Sequence, residues 1–207
     1  MTLKIPSLME CDTQLRARLQ TSVDQRTREQ LRDLMALVDS AGIHQVDMIM
    51  SIGTVNLRIP LAVAAVIHED QALLQAVAER GVQPQPEDAA NLAKAFMEAT
   101  LGLRVQQREL ARDAGNEALA SNLSRQQSYI EQHMARALKP LVEADVLAWD
   151  MPIDFDRTVA WKRVSRQGSL EQVLEWACPA GMAALRNALL EDATNPTVAS
   201  APRANRL

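Results

Sequence analysis

The chain has 207 residues, of which 47% are hydrophobic, 23% charged and 3% aromatic. This balance excludes a wholly disordered chain and provides enough residues for one domain with a sizeable core. The formal net charge of -4 excludes a strongly basic coat protein for nucleic acid, but it is compatible with a local basic face. Because aromatic residues are scarce, we expect a core of Ala, Leu, Val, Ile and Met, built from closely packed helices.

The first half of the chain is predicted to form helices interrupted by one strand. Apolar residues at helical spacing predict helices over 10–21, 26–41 and 60–80, and the short apolar run over 46–52 is also predicted to be a helix. The alternation of Val55, Leu57 and Ile59 with polar residues indicates a short strand over 54–59. The helix that follows Pro60 is apolar on all sides from Leu61 to Ile67, which is typical of a central, buried element.

Longer helices are predicted in the middle of the chain. Pro84 and Pro86 break the preceding helix, while Glu87 and Asp88 suit the positive end of a new one. This helix extends over 87–101, and Gly102 either kinks it or lies within a continuation to Asp113. A long polar helix follows over 117–138, then a break at Lys139–Pro140 and a short helix to Trp149.

The composition changes after residue 148, because most of the aromatic residues lie between Trp149 and Trp176. An acidic linker is predicted over Asp150–Asp156. Two helices are predicted next, over Leu170–Ala177 and Pro179–Leu190. The tail from Ala193 consists mainly of small and polar residues, and we expect it to be disordered.

The three histidines, His44, His68 and His133, are the first candidates for a metal site. Di-iron bundles use a Glu-x-x-His spacing that places both ligands on one helix face. Here the acidic neighbours are Glu69 and Glu131, at offsets of one and two residues, which point to different faces. We therefore interpret the histidines as solvated or capping residues, and no cofactor is predicted.

A second candidate is the acidic group Asp150, Asp154 and Asp156, which is a fragment of a calcium-binding loop. Such loops need more alternating oxygen ligands and usually a glycine, and both are missing here. We expect these carboxylates to pair with the basic stretch that follows, from Arg157 to Arg166.

Several protein classes have no support in the sequence. Cys11 and Cys178 fit neither a metal-ligand spacing nor a disulfide framework, which favours a reducing cytoplasm. The first nine residues lack the apolar run of a signal peptide. Met48–Ile67 is interrupted by Arg58 and Pro60, so we predict no membrane span. Motifs of nucleophilic enzymes, nucleotide-binding loops and dinucleotide-binding folds are absent.

Nucleic-acid binding is an alternative that the basic C-terminal stretch keeps open. The spacings Val38–Gly42 and Ala177–Gly181 roughly match a helix-turn-helix, but acidic residues flank the first and Pro179 lies in the turn of the second. The candidate contacts are basic side chains that would neutralise phosphates, namely Arg157, Lys162, Arg163, Arg166 and Arg186.

A surface for a partner protein is the other candidate, and it lies on the segment 104–139. This segment mixes basic and acidic residues with a narrow apolar stripe, which can form a seam with a partner or a second copy. The residues assigned to it are Arg108, Arg112, Leu119, Leu123, Ile130 and Met134.

These patterns together predict an all-α fold of about eight to ten helices. We expect a main body over 1–148, a small aromatic-rich helical element over 149–192 and a disordered tail over 193–207. The expected function is that of a non-enzymatic bacterial cytoplasmic protein that binds a protein partner or forms a homodimer. A DNA-binding regulator is the alternative, and a helical metal-binding enzyme is the least favoured one.

Overall fold

The computed structural model describes residues 47–69, 71–79, 81–111 and 117–194. The helices predicted over 10–21 and 26–41, the first helix-turn-helix match and the end of the tail lie outside these ranges. Within them the chain forms six helices and four strands, with the strands arranged as two separate hairpins. The prediction of an all-α fold is therefore wrong, and the protein is a mixed α/β molecule.

The first hairpin pairs β1 (Asp47–Ile52) with β2 (Val55–Pro60) in antiparallel register, with Ile52 opposite Val55. Gly53, at φ +60°, is the first residue of the two-residue turn, as in a type II′ hairpin turn. The strand predicted over 54–59 is confirmed, whereas the helix predicted over 46–52 is a strand. This apolar run is too short for its periodicity to distinguish a helix from a strand. Pairing with β2 across the turn makes it a strand.

The helix predicted over 60–80 is two helices, α1 (Leu61–Ile67) and α2 (Gln71–Ala78). The chain turns between them at Glu69, where φ is +53°. Residues 61–66 are all buried, which confirms that this segment is a central element of the core. The turn after it was not predicted, because neither glycine nor proline marks it.

The two long helices are α3 (Pro86–Leu110) and α4 (Glu117–Glu143). The helix α3 begins at a proline, carries acidic residues in its first turn and runs through Gly102 without ending. The predicted break at Pro140 is wrong, because α4 includes this residue. The ring of Pro140 is buried, and we infer that its packing offsets the hydrogen bond that proline cannot donate.

The C-terminal part begins with a second hairpin, β3 (Pro152–Val159) and β4 (Lys162–Ser169), and ends with α5 (Leu170–Ala177) and α6 (Pro179–Thr194). Both helices were predicted, but the acidic linker is in fact largely strand β3. Ser169 caps α5, since its hydroxyl accepts from the backbone N–H of Gln172 while the Gln172 side chain accepts from the backbone N–H of Ser169.

One hydrophobic cluster joins these elements, and it extends across the boundary predicted at residue 148. The helix α3 packs against both hairpins, α4 and α5, while α6 packs against α4 and α5. Phe155 is fully buried and contacts Trp176 edge-on, with ring centroids 6.2 Å apart. The division into a main body and a C-terminal element stays a prediction.

Two glycines provide a direct test of this packing. A methyl group on Gly102 would lie 4.0 Å from Cγ1 of Val159, an ordinary contact, whereas one on Gly181 would lie 2.8 Å from Cε of the buried Met134. We expect Gly102→Ala to raise the free energy of unfolding by about 0.5–1 kcal/mol through helix propensity. Gly181→Ala gains the same propensity, but its methyl group must displace the buried end of Met134, so we expect its free energy of unfolding to be about 1 kcal/mol below that of Gly102→Ala. Urea unfolding of both variants checks this, and equal values would contradict the packing of α6 on α4.

Candidate functional site

The second hairpin carries four of the five basic residues that were predicted to contact nucleic acid, and Arg186 lies on α6. The structure brings most of these cations to carboxylates of the same chain. Arg163 donates from Nε to Oδ1 of Asp156 at 2.8 Å and makes a second hydrogen bond to the other carboxylate oxygen. These bonds lower the pKa of the exposed Asp156 carboxyl. Of the pairing expected between the acidic and basic stretches, the structure shows this one, between Asp156 and Arg163.

The other arginines are also engaged within the chain. Arg157 pairs with Glu98 of α3, with Nε 3.7 Å from Oε2. Arg186 bridges two carboxylates of α5, those of Glu171 at 2.8 Å and Glu175 at 2.9 Å. The guanidinium carbon of Arg166 lies 6.0 Å from the centroid of the Trp176 ring, within the range of a cation–π contact.

Lys162 differs from these arginines, since within the described ranges it forms neither a salt bridge nor a cation–π contact. It lies directly after the turn of the second hairpin, opposite Val159. Of the five predicted contacts, it is therefore the cation whose charge is least satisfied by the described part of the chain.

The spacing Ala177–Gly181, which roughly matches a helix-turn-helix in the sequence, does not form that motif in the structure. A single residue, Cys178, separates α5 from α6, whereas the motif needs a turn of three to four residues. Gly181 is buried inside α6 rather than placed in a turn. Its spacing from Ala177 reflects the packing of α6 against α4.

The tip of the second hairpin is the most unusual surface feature among the described residues. The turn consists of Ala160 and Trp161, with φ angles of +45° and +67°. Positive φ at both central residues is the pattern of a type I′ turn, for which Asn-Gly is the preferred sequence. The Trp161 side chain is 97% exposed. A large apolar residue therefore occupies a left-handed position and makes almost no contact with the described chain.

The residues predicted as a partner seam divide into two groups. Leu123, Ile130 and Met134 are buried in the core of the same chain. Leu119 is 42% exposed, and Arg108 is also exposed. Arg112 lies outside the described residues. The apolar stripe of α4 is thus largely covered by the chain itself, and a partner surface on this segment stays a prediction that depends on its exposed residues.

A cleft of about 480 Å³ opens between α3, α4 and the turn of the first hairpin. Two glycines, an alanine and two larger apolar residues line it together with an arginine, a tyrosine, two glutamines and a threonine. These residues are Gly53, Thr54, Ala99, Gly102, Leu103, Gln106, Arg125, Gln126, Tyr129 and Ile130. Apart from Ile130, sequence reasoning missed this cleft, because its residues come from three elements that only the fold brings together.

His133 lies beside this cleft, behind Tyr129. Its ring meets the buried Phe96 edge-on at 5.5 Å and the Tyr129 ring at 5.8 Å. Its buried Nδ1 has no hydrogen-bond partner among the described residues. Burial lowers the pKa of the imidazole, and the nearby Arg136 lowers it further.

The cysteine among the described residues is Cys178, which is free and buried. Burial raises the pKa of the Cys178 thiol to about 11, so this thiol stays protonated at neutral pH. Its sulfur lies 3.7 Å from the carbonyl oxygen of Phe96. Within the described ranges no three His, Cys, Asp or Glu side chains come together as metal ligands. Cys11 and His44 lie outside those ranges.

None of the described helices combines the length and apolar character that a membrane span requires. Comparisons of the chain with protein-family models, with curated proteins and with solved structures found no match. The function must therefore be argued from the surface features themselves.

The position of His133 predicts a pH dependence of stability. Because the folded pKa is lowered, the unfolded chain binds a proton on this residue more readily, so stability is lost as the pH falls through and below the ordinary value of 6.5. We expect His133→Gln to lose less stability than the wild type between pH 7.5 and pH 5.5, in urea unfolding at both values. His68→Gln is the control, and an unchanged slope in His133→Gln would contradict the assignment.

Proposed function

We propose that the protein is a non-enzymatic binding protein of the bacterial cytoplasm that uses the tip of its second hairpin to bind another polypeptide chain. The observation that carries this proposal is Trp161, which is 97% exposed on a left-handed turn. In this proposal its indole ring is the anchor that enters an apolar pocket of the partner.

The stability of the fold does not explain why Ala160 and Trp161 occupy this turn. A non-glycine residue in the left-handed region costs about 1 kcal/mol or more, and the turn has two of them, Ala160 and Trp161. The Trp161 ring gains almost nothing in return, because it buries so little surface in the described chain. Strained backbone of this kind is often found where a side chain is presented for binding.

Tryptophan is well suited to this role, because it provides a large, stiff apolar surface with a single N–H donor. Residues of this type are enriched among those that dominate binding energy at protein interfaces. The charge next to it is positive, since Lys162 follows the turn directly and forms no salt bridge within the described ranges. We therefore expect the partner to present an apolar pocket with an acidic rim.

Nucleic acid is the less favoured partner at the same tip. Phosphate binding needs several cations that are free to neutralise it. Arg157, Arg163 and Arg186 are instead paired with carboxylates of this chain, and Arg166 lies over an aromatic ring. Lys162 alone is a weak basis for the salt-dependent binding that nucleic acid requires.

The first experiment identifies the partner by placing a photo-crosslinking amino acid at position 161 of the full chain in its own cell. A matched control carries the same amino acid at Leu190, which is 63% exposed on α6. We expect a discrete crosslinked protein at position 161 that is absent at position 190, and its mass shows whether it is a second copy of this chain. The same mixture of many crosslinked products at both positions would count against the proposal.

The purified partner is then titrated against variants of the tip. Trp161→Ala is expected to weaken binding by about 2 kcal/mol or more, a factor of about 30, because it removes the anchor. Leu190→Ala is the control and should bind as the wild type does. The double substitution Ala160→Asn with Trp161→Gly should abolish binding and yet raise the free energy of unfolding by about 1 kcal/mol, since it restores a favoured turn.

Two results would overturn this function. The first is an affinity of Trp161→Ala for the partner within twofold of the wild type. The second is binding of labelled single- or double-stranded oligonucleotides that is lost in Trp161→Ala and in Lys162→Gln, which would make nucleic acid the ligand of the tip.

A further inference from the structure

The cleft between α3 and α4 has the dimensions of a site for a small molecule. Its volume of about 480 Å³ falls within the range of about 300–1,000 Å³ that is typical of such sites. Along α3 the lining extends from Ala99 to Gln106, a distance of about 10 Å at the rise of an α-helix. This length accommodates two fused six-membered rings with one substituent.

Three residues that line the cleft, Gly53, Ala99 and Gly102, have little or no side chain, and we call them its floor. Gly53 needs its positive φ, and a methyl group there would come within 3.1 Å of Ile130. The backbone of Gly102 does not require glycine, and a methyl group there would meet only Val159, at 4.0 Å. Glycine in a helix interior is also less favourable than alanine. Packing within the described chain therefore does not account for Gly102, whereas an open floor does.

The wall of the cleft includes an aromatic ring that the structure holds in place. Tyr129 is 64% exposed, but its ring lies against His133, and His133 lies in turn against the buried Phe96. This chain of rings fixes Tyr129 at the rim of the cleft. A flat apolar ligand lying on the floor can stack against a ring held in this way.

The charge of the cleft selects the ligand further. Arg125 lines it, no acidic residue is found among its described lining, and no described carboxylate pairs with Arg125. Gln106 and Gln126 add amide donors to the same cleft. A guanidinium with no carboxylate beside it is matched by a ligand carboxylate, which it can bind through two parallel hydrogen bonds.

We infer that this cleft binds a small, flat organic carboxylate. The apolar body of the ligand lies on the floor formed by Gly53, Ala99 and Gly102, stacked against Tyr129, and its carboxylate is held by Arg125. This site is separate from Trp161, so the inference goes beyond the proposed function and does not depend on it.

Tyr129 makes the site directly observable, because it is the sole tyrosine of the chain. Biosynthetic incorporation of 3-fluorotyrosine gives the full-length protein one fluorine resonance, which reports on the cleft. The probe is 2-naphthoate, a two-ring carboxylate, and its neutral amide, 2-naphthamide, is the matched control of the same shape. Each is titrated into the wild type, Arg125→Gln, Arg136→Gln and Gly102→Ala.

We expect 2-naphthoate to shift the resonance saturably, with 2-naphthamide binding about tenfold or more weakly because it cannot pair with the guanidinium. Arg125→Gln should weaken 2-naphthoate binding to a similar degree. Arg136→Gln removes the same charge from an exposed position of α4 outside the cleft and should have an effect below about twofold. Gly102→Ala raises the floor and should also weaken the probe.

Three results would overturn the inference. One is the absence of a saturable shift with 2-naphthoate. Another is equal affinity for the acid and the amide, which would remove the carboxylate from the recognition. The third is a loss in Arg136→Gln as large as that in Arg125→Gln, because it would reflect net charge rather than a site. Loss of partner binding in Trp161→Ala has no bearing on these outcomes, so the two proposals fail separately.

Discussion

The alanine-rich face of α3 is the constraint on which the rest of the structure depends. Half of its ten buried residues are alanines, joined by Leu92, Phe96, Met97, Thr100 and Leu103. Because a methyl group projects only a short distance, neighbouring elements can approach the axis of α3 closely. Both hairpins, α4 and α5 all pack on this helix. Phe96 is the one aromatic residue buried on this face, and bulky side chains at the alanine positions would keep these elements apart.

The sequence predicted α3, α5 and α6 well, because strong local signals mark where they begin. Pro86 and Pro179 begin α3 and α6, and Ser169 with Gln172 forms the capping box of α5. The hairpins were the main failure. Met48–Ile52 is uniformly apolar apart from Ser51, so its residue pattern does not distinguish a helix from a strand. Pairing with the neighbouring strand makes this segment a strand. In the second hairpin the acidic residues of β3 looked like a linker, and Ala160–Trp161 carries no turn signal at all. A turn made from residues that disfavour it cannot be found from turn propensity.

The candidate site shows the same division between local and tertiary information. The basic residues were visible in the sequence, but their partners were not, since Arg157 meets Glu98 and Arg186 meets Glu171 across different elements. Conversely, Trp161 and Gly102 are positions whose residue type makes folding less favourable than a simple alternative would. They are also close in the fold, because Val159 at the end of β3 faces Gly102 on α3. One helix therefore positions both the hairpin tip and the cleft.

The central claim is that Trp161 takes no part in folding and is presented to the outside. The most direct measurement is the fluorescence of this one residue in the full chain, taken as the emission of the wild type minus that of Trp161→Phe. The account predicts a difference spectrum like that of free tryptophan in water, quenched efficiently by iodide, an anion that the neighbouring Lys162 attracts. A blue-shifted difference spectrum that is protected from iodide would contradict it, because the ring would then be buried within the protein.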